Sequence, residues 1–182
     1  MYPVSRHSQR LGLRELATDD VDAVLAIYGS REATEHLSFE PRSREDVGQI
    51  VARSMASAIA SPRSEYALAV VEHETGDLVG FGRLATDPHQ QRAATLGFAL
   101  HPRTWGAGYG LETVHLLLAL GFEDLELHRI WGARSPLNHA SARTMHRAGM
   151  VEEGRIREHV LKNGKWRDSI VHGILSHEWD AK

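Results

Sequence analysis

The chain has no cysteine among its 182 residues, so disulfides, thiolate metal sites and a cysteine nucleophile are excluded together. It also lacks any apolar run near the stretch of roughly 20 residues that crosses a bilayer. The opening residues, MYPVSRHSQR, have no apolar core of the kind a signal peptide carries. The expected location is cytoplasmic, with no membrane partner. Neither sign of charge dominates. With 21 Lys and Arg against 24 Asp and Glu, the formal net charge is -3, which offers no basic surplus for nucleic acid. Linkers, internal repeats and low-complexity tracts are missing too. What remains is 42% hydrophobic and 25% charged, ordinary for a soluble globular protein. The length suits one domain, 1–182, able to bury a core of its own.

Leu11–Leu16 has the character of a short strand. Thr18 stands where it would cap a helix through Val21, Val24, Leu25 and Tyr28, which fall near helical spacing. Ser43 starts a second predicted helix that ends near Ser61-Pro62. Tyr66–Val71 and Leu78–Ala85 flank Glu74-Thr75-Gly76-Asp77, a β-hairpin signal. Thr95–Leu100 is a further strand, stopped by Pro102. A helix follows over Ala107–Phe122, then a strand over His128–Ala133, then a helix over Asn138–Ala148 with Gly149 just past its end. Val151–Leu161 and Lys165–Leu175 bracket Asn163-Gly164, and Asn-Gly between strand-like runs is a strong hairpin signal. The order of elements predicts a mixed sheet with helices on its faces.

The segment Trp105-Gly106-Ala107-Gly108-Tyr109-Gly110 lies between a predicted strand and a predicted helix. Glycine permits backbone conformations closed to other residues and lets a ligand approach the main chain. The first N–H groups of a helix lack internal partners and carry the positive end of its dipole, so the arrangement suits a phosphate. A Walker A loop requires Lys-Ser/Thr after its last glycine, whereas Leu111-Glu112 follows here. The spacing G-x-G-x-G also departs from the dinucleotide fingerprint. On the loop alone, a glycine-rich connection without a ligand stands beside the phosphate reading.

Three ordered motifs between Thr95 and Trp179 carry a resemblance. Leu100-His101-Pro102 followed by WGAGYGLET resembles the pyrophosphate-binding motif of the GNAT superfamily. Asn138-x-x-Ser141, ending in Arg147-Ala148-Gly149-Met150, is similar to that superfamily's second motif, and EEGRIREHVLKNGKWRDSIVHGILSHEW to the tail of its RimJ/RimL-type branch. The resemblance implies an α+β fold, a splayed and mostly antiparallel sheet of about seven strands flanked by about four helices. It implies acetyl-CoA as co-substrate, with Leu100 and its strand along the pantetheine arm. Trp105, Gly106, Ala107, Gly108, Tyr109 and Gly110 would lie around the pyrophosphate, with Asn138 and Arg143 near the cofactor. Trp105 replaces the usual Arg or Gln, and Arg103 is out of register with Pro102.

The implied reaction passes acetyl to a primary amine, which attacks the thioester in its neutral form and needs a base, oxyanion donors and an acid for the leaving sulfur. Met145 occupies the position of the superfamily's tyrosine acid. Ser141, Met145 and Ala148 share a helical face, so Ser141 is the candidate acid. Ile156, Glu158 and Val160 share one face of a strand by alternation, which places a carboxylate on an apolar row and makes Glu158 the candidate base. Asn138 doubles as a helix N-cap, and Glu112 in the first turn of its helix suits a structural role. The 12 histidines form no metal-binding pattern. The branch implies a protein or peptide N-terminal amine as acceptor, and a homodimer. The alternatives are an acetyltransferase for small, antibiotic-type amines and an acyl-CoA sensor without catalysis.

Overall fold

Alternation along Glu65–Glu72 sends Leu68 and Val70 to one face of a sheet and Ala67 and Ala69 to the other. That strand is the third of eight in the computed structural model, which describes residues 2–179. The strands are β1 (Ser5–His7), β2 (Leu11–Glu15), β3 (Glu65–Glu72), β4 (Leu78–Thr86), β5 (Ala93–Leu100), β6 (Arg129–Arg134), β7 (Val151–Lys162) and β8 (Lys165–Leu175). They form one sheet in the order β1-β2-β3-β4-β5-β6-β8-β7. Every pairing is antiparallel except β5 with β6.

The helices divide between the two faces. Val24 and Ile27 of α1 (Val21–Tyr28) and Val47 and Val51 of α3 (Arg44–Ala58) join the Ala67–Ala69 side, while α2 (Arg31–Thr34) is a single turn between them. Val114, Leu117 and Leu118 of α4 (Tyr109–Ala119) and Met145 of α5 (His139–Arg147) join the Leu68–Val70 side. Leu117 and Leu118 are wholly buried, each contributing about 1.5–3 kcal/mol of apolar burial.

Local signals account for several boundaries. Ser43 caps α3 as expected, its hydroxyl accepting from the Asp46 N–H at 3.1 Å while Asp46 accepts from the Ser43 N–H at 3.0 Å. Asn163 (φ 50°) and Gly164 (φ 70°) form the turn between β7 and β8.

Other expectations need correction. Thr18 is not a cap: it opens a 3-10 turn, and Asp20 satisfies the start, accepting from the Ala17 N–H at 2.7 Å and from Arg14 at 2.7 and 2.8 Å. The sheet has eight strands rather than about seven, and there are five α-helices among the described residues rather than about four. The extra strand, Ser5-Arg6-His7, carries no apolar alternation. It is held by its pairing with β2 and by Arg6, which bonds Asp124 and, at 2.8 Å, Glu123. The extra helix, α2, is four residues long, too short to show a period.

Candidate active site

The sheet opens at one place. β5 and β6 pair only over Ala93–Thr95 and Arg129–Trp131. Beyond that point β5 stays with β4 as far as Leu100, and β6 stays with β8 as far as Arg134. A Cβ on Gly132 would stand 2.9 Å from the Leu96 carbonyl oxygen, so only glycine fits where the strands begin to part. A cavity of about 930 Å³ occupies the opening and reaches the glycine loop, α5 and the β7–β8 hairpin.

One end of the cavity is the glycine loop. Gly106 (φ 78°) and Gly108 (φ 86°) adopt left-handed conformations, which cost other residues about 1–2 kcal/mol. Gly108 is the N-cap of α4, and no side chain caps this helix. Its first N–H groups are therefore open to a ligand at the positive end of the helix. Gly106, Gly108, Gly110, Leu100 and Trp105 line the cavity. The Trp105 indole N–H donates to the Leu100 carbonyl at 3.1 Å, tying the loop to the end of β5.

Ala107 and Tyr109 are not in this lining; they anchor the loop from behind. Arg10 donates to the Ala107 carbonyl at 2.9 Å and lies 4.5 Å from the centre of the Tyr109 ring, whose hydroxyl bonds Glu72. Glu112 accepts from the Ser8 hydroxyl at 2.6 Å and from the Arg10 N–H and Nε at 2.8 Å each. Burial works to raise its carboxyl, but these bonds outweigh it and hold the group below its ordinary value. Its part is structural. Arg103 is committed elsewhere, to Asp77 at 2.9 Å.

The second wall is α5. The Asn138 side-chain oxygen accepts from the Ser141 N–H at 2.9 Å, the expected cap, and both residues line the cavity. Arg143 and Thr144 line it as well. Thr144 Oγ1 lies 3.5 Å from the position of a Cβ on Gly110, so α5 packs directly on the glycine loop. Met145 and Ala148 are buried while Ser141 is half-buried, as the shared helical face requires. The Ser141 hydroxyl has no hydrogen bond to another described residue.

β7 departs from the expected pattern. Ile156 pairs with Ser169 and Val160 with Arg167, so four steps along β7 pass two along β8. This bulge ends the alternation that put Glu158 on an apolar row. Glu158 has φ 50°, is exposed, and donates its N–H to Asp168 at 2.8 Å. It lies outside the cavity lining, whereas its neighbour His159 lies within it. The burial invoked to raise its pKa is not there.

Residues without a motif complete the lining: His36, Leu37 and Phe39 after α2, Arg167 and Ser169 on β8, and Arg134 at the end of β6. Arg134 Nε donates to buried His172 at 3.0 Å. The imidazole proton then lies on Nδ1, which is buried without a partner among the described residues. Burial, followed by the Arg134 charge, pushes His172 below its ordinary value.

Residues 10–151 match the family described as acetyltransferase (GNAT) domain. The uncharacterized N-acetyltransferase YoaA of Bacillus subtilis is 25% identical over 176 residues, covering 96% of this chain and 98% of that protein. The ribosomal protein uS5-alanine N-acetyltransferase of Escherichia coli is 25% identical over 87 residues, 48% of this chain and 45% of that one. RimJ of Mycobacterium smegmatis, solved in complex with CoA-disulfide, shares the fold with a TM-score of 0.85 at 20% identity, over 97% of this chain and 90% of that one. The parted strands, the glycine loop at the start of a helix without a side-chain cap, and the match over most of the sequence lead to one conclusion: the chain belongs to the GNAT family and is an acetyl-CoA-dependent N-acetyltransferase.

Proposed function

We propose that the acceptor is the α-amine of a protein or peptide, and that Ser141 is the acid that protonates the departing sulfur. The observation that carries this reading is Ser141, whose hydroxyl has no hydrogen-bond partner among the described residues, on the same cavity as the open N-terminus of α4. The residues fit the cofactor: left-handed glycines without Cβ atoms, free helix N–H groups and Arg143 all suit a diphosphate. Bound acetyl-CoA supplies the acyl group as a thioester. As the N–C bond forms and the C–S bond breaks, Ser141 Oγ gives its proton to sulfur, and the proton lost by the amine balances it.

An α-amine has an ordinary pKa of about 7.7–8.0 against about 10.4 for lysine, so it needs little help to shed a proton. On β7, His159 is the titratable residue that lines the cavity, and we assign it the receiving role in preference to Glu158, which lies outside the lining. The uS5-alanine enzyme, which acts on a protein alanine, favours the α-amine class.

The experiment is a calorimetric titration with acetyl-CoA, then thiol release with peptides bearing a free N-terminal alanine or serine, lysine peptides with blocked N-termini, and polyamines. N-terminal peptides are expected to give the highest kcat/KM. Ser141→Ala is expected to lower kcat by about 100-fold with acetyl-CoA affinity unchanged. A polyamine or lysine peptide that outperforms every N-terminal peptide overturns the acceptor class, and wild-type kcat in Ser141→Ala overturns the acid.

A further inference from the structure

From Thr34, the last residue of α2, the chain runs to residue 40 with no further helix or strand, yet 34–40 forms a wall of the cavity through His36, Leu37 and Phe39. Main-chain carbonyls in such a segment need donors from elsewhere. Two cations supply them, one from each strand of the β7–β8 hairpin. The Lys162 ammonium donates to the carbonyls of Thr34 at 2.5 Å, Glu35 at 2.8 Å and Leu37 at 3.2 Å. An ammonium has three N–H donors, so this one is saturated by backbone. Arg167 Nη1 donates to the carbonyls of His36 at 3.0 Å and Leu37 at 3.4 Å. The Leu37 carbonyl thus receives both cations. At the turn, the Asn163 N–H donates to Glu40 at 2.7 Å.

Neither cation has a salt bridge to a carboxylate among the described residues, which sets them apart from the surface ion pairs of this protein. On its inner side the segment is anchored by Phe39, whose ring meets Tyr28 edge-on at 4.9 Å. The segment is therefore clamped between Tyr28, in the core on the Ala67–Ala69 side of the sheet, and the tip of the hairpin.

We infer that Lys162 and Arg167 are positioning residues that hold 34–40 as the wall against which the acceptor amine is placed. This rests on the acetyl-transfer reading above, in which the glycine loop and α5 hold acetyl-CoA, and it places the acceptor at the remaining wall of the same cavity. The cofactor's groups lie on α4, α5 and β5, none of which supplies a bond in the clamp. Loosening the clamp raises acceptor KM and leaves acetyl-CoA affinity in place.

The test uses the full chain as Lys162→Met, Lys162→Arg and Arg167→Met. Hydrogen exchange by mass spectrometry follows 34–40 with 93–100 as internal reference, calorimetry gives acetyl-CoA affinity, and thiol release uses a peptide with a free N-terminal alanine. In Lys162→Met, exchange over 34–40 is expected to rise by about tenfold and acceptor KM by a similar factor, the equivalent of one charged hydrogen bond. Exchange over 93–100, kcat and acetyl-CoA affinity stay near wild type. Lys162→Arg, which keeps donors and charge, restores most of the loss. Unchanged exchange over 34–40 in both Met variants overturns the clamp. Faster exchange with unchanged acceptor KM overturns the placement of the acceptor on this wall. Should Lys162→Met fail to fold, Lys162→Arg and Arg167→Met answer the same questions. Absence of acetyl-CoA binding by the wild type sinks the cofactor reading alone, because the exchange measurement does not depend on it.

Discussion

The glycine-loop end of the cavity is walled by regular structure: the N-terminus of α4, the capped start of α5 and the end of β5. The opposite end is walled by an irregular segment, a bulged edge strand and the neighbouring part of β8 at Arg167 and Ser169. At the first end the ligand-facing groups are main-chain N–H groups, whose positions follow from the helix itself. At the second they are side chains and carbonyls whose positions depend on contacts from residues over a hundred positions away in the chain, as with Lys162 and Thr34. A ligand common to a whole family suits the first kind of wall, and a ligand that differs between members suits the second, because loops accept substitution without loss of the scaffold.

The difference is open to attack from either end. The largest effect is expected from Gly108→Val. The residue sits at φ 86° with its would-be Cβ 3.3 Å from Arg10, so the substitution combines left-handed strain with displacement of the loop. Acetyl-CoA affinity should fall by about 100-fold, two contacts' worth at 1.4 kcal/mol per tenfold, while hydrogen exchange over 34–40 is unmoved. Calorimetry showing near-normal affinity would refute the role of the loop backbone.

A smaller effect belongs to β7. His159→Asn should lower kcat/KM by about tenfold, and Glu158→Gln by less, in assays from pH 6 to 9. The reverse order would return the base to Glu158 and require the bulge to rearrange when substrates bind.

The smallest effect concerns the layer beneath both ends. His172 is held below its ordinary value of about 6.5 by burial and then by Arg134. A lowered folded-state value means that the unfolded chain takes up the proton first. Stability from this group is complete above about pH 6.5 and is lost as pH falls through the folded-state value. The melting temperature should drop by a few degrees over that interval, and less steeply in His172→Gln. Equal slopes in the two proteins would show that His172 does not titrate with unfolding.

The two ends also differed in legibility. Trp105–Gly110 announced a helix start with glycine in place of a side-chain cap, and Asn138 announced its own cap, which the Ser141 N–H confirms at 2.9 Å. These are relations among residues within a few positions, and the energetics of caps and turns act over that range. Glu158 was misplaced because strict alternation presumes a regular ladder, and the bulge between Ile156 and Val160 leaves no mark in an otherwise strand-like run. His159 and Arg167 carried no signal, since a single His or Arg in a polar strand has no pattern to betray it.

The sequence by itself therefore determined the order of the longer elements, the capped starts of α3 and α5, both hairpin turns and the glycine-rich start of α4, because each is decided by local conformational preference and by the spacing of apolar residues. Tertiary structure alone decided the three-residue strand at Ser5–His7, the bulge that turns Glu158 outward, and the wall at 34–40. Each of those is set by hydrogen bonds between distant parts of the chain, whose free energy exists only once the sheet has brought the partners together.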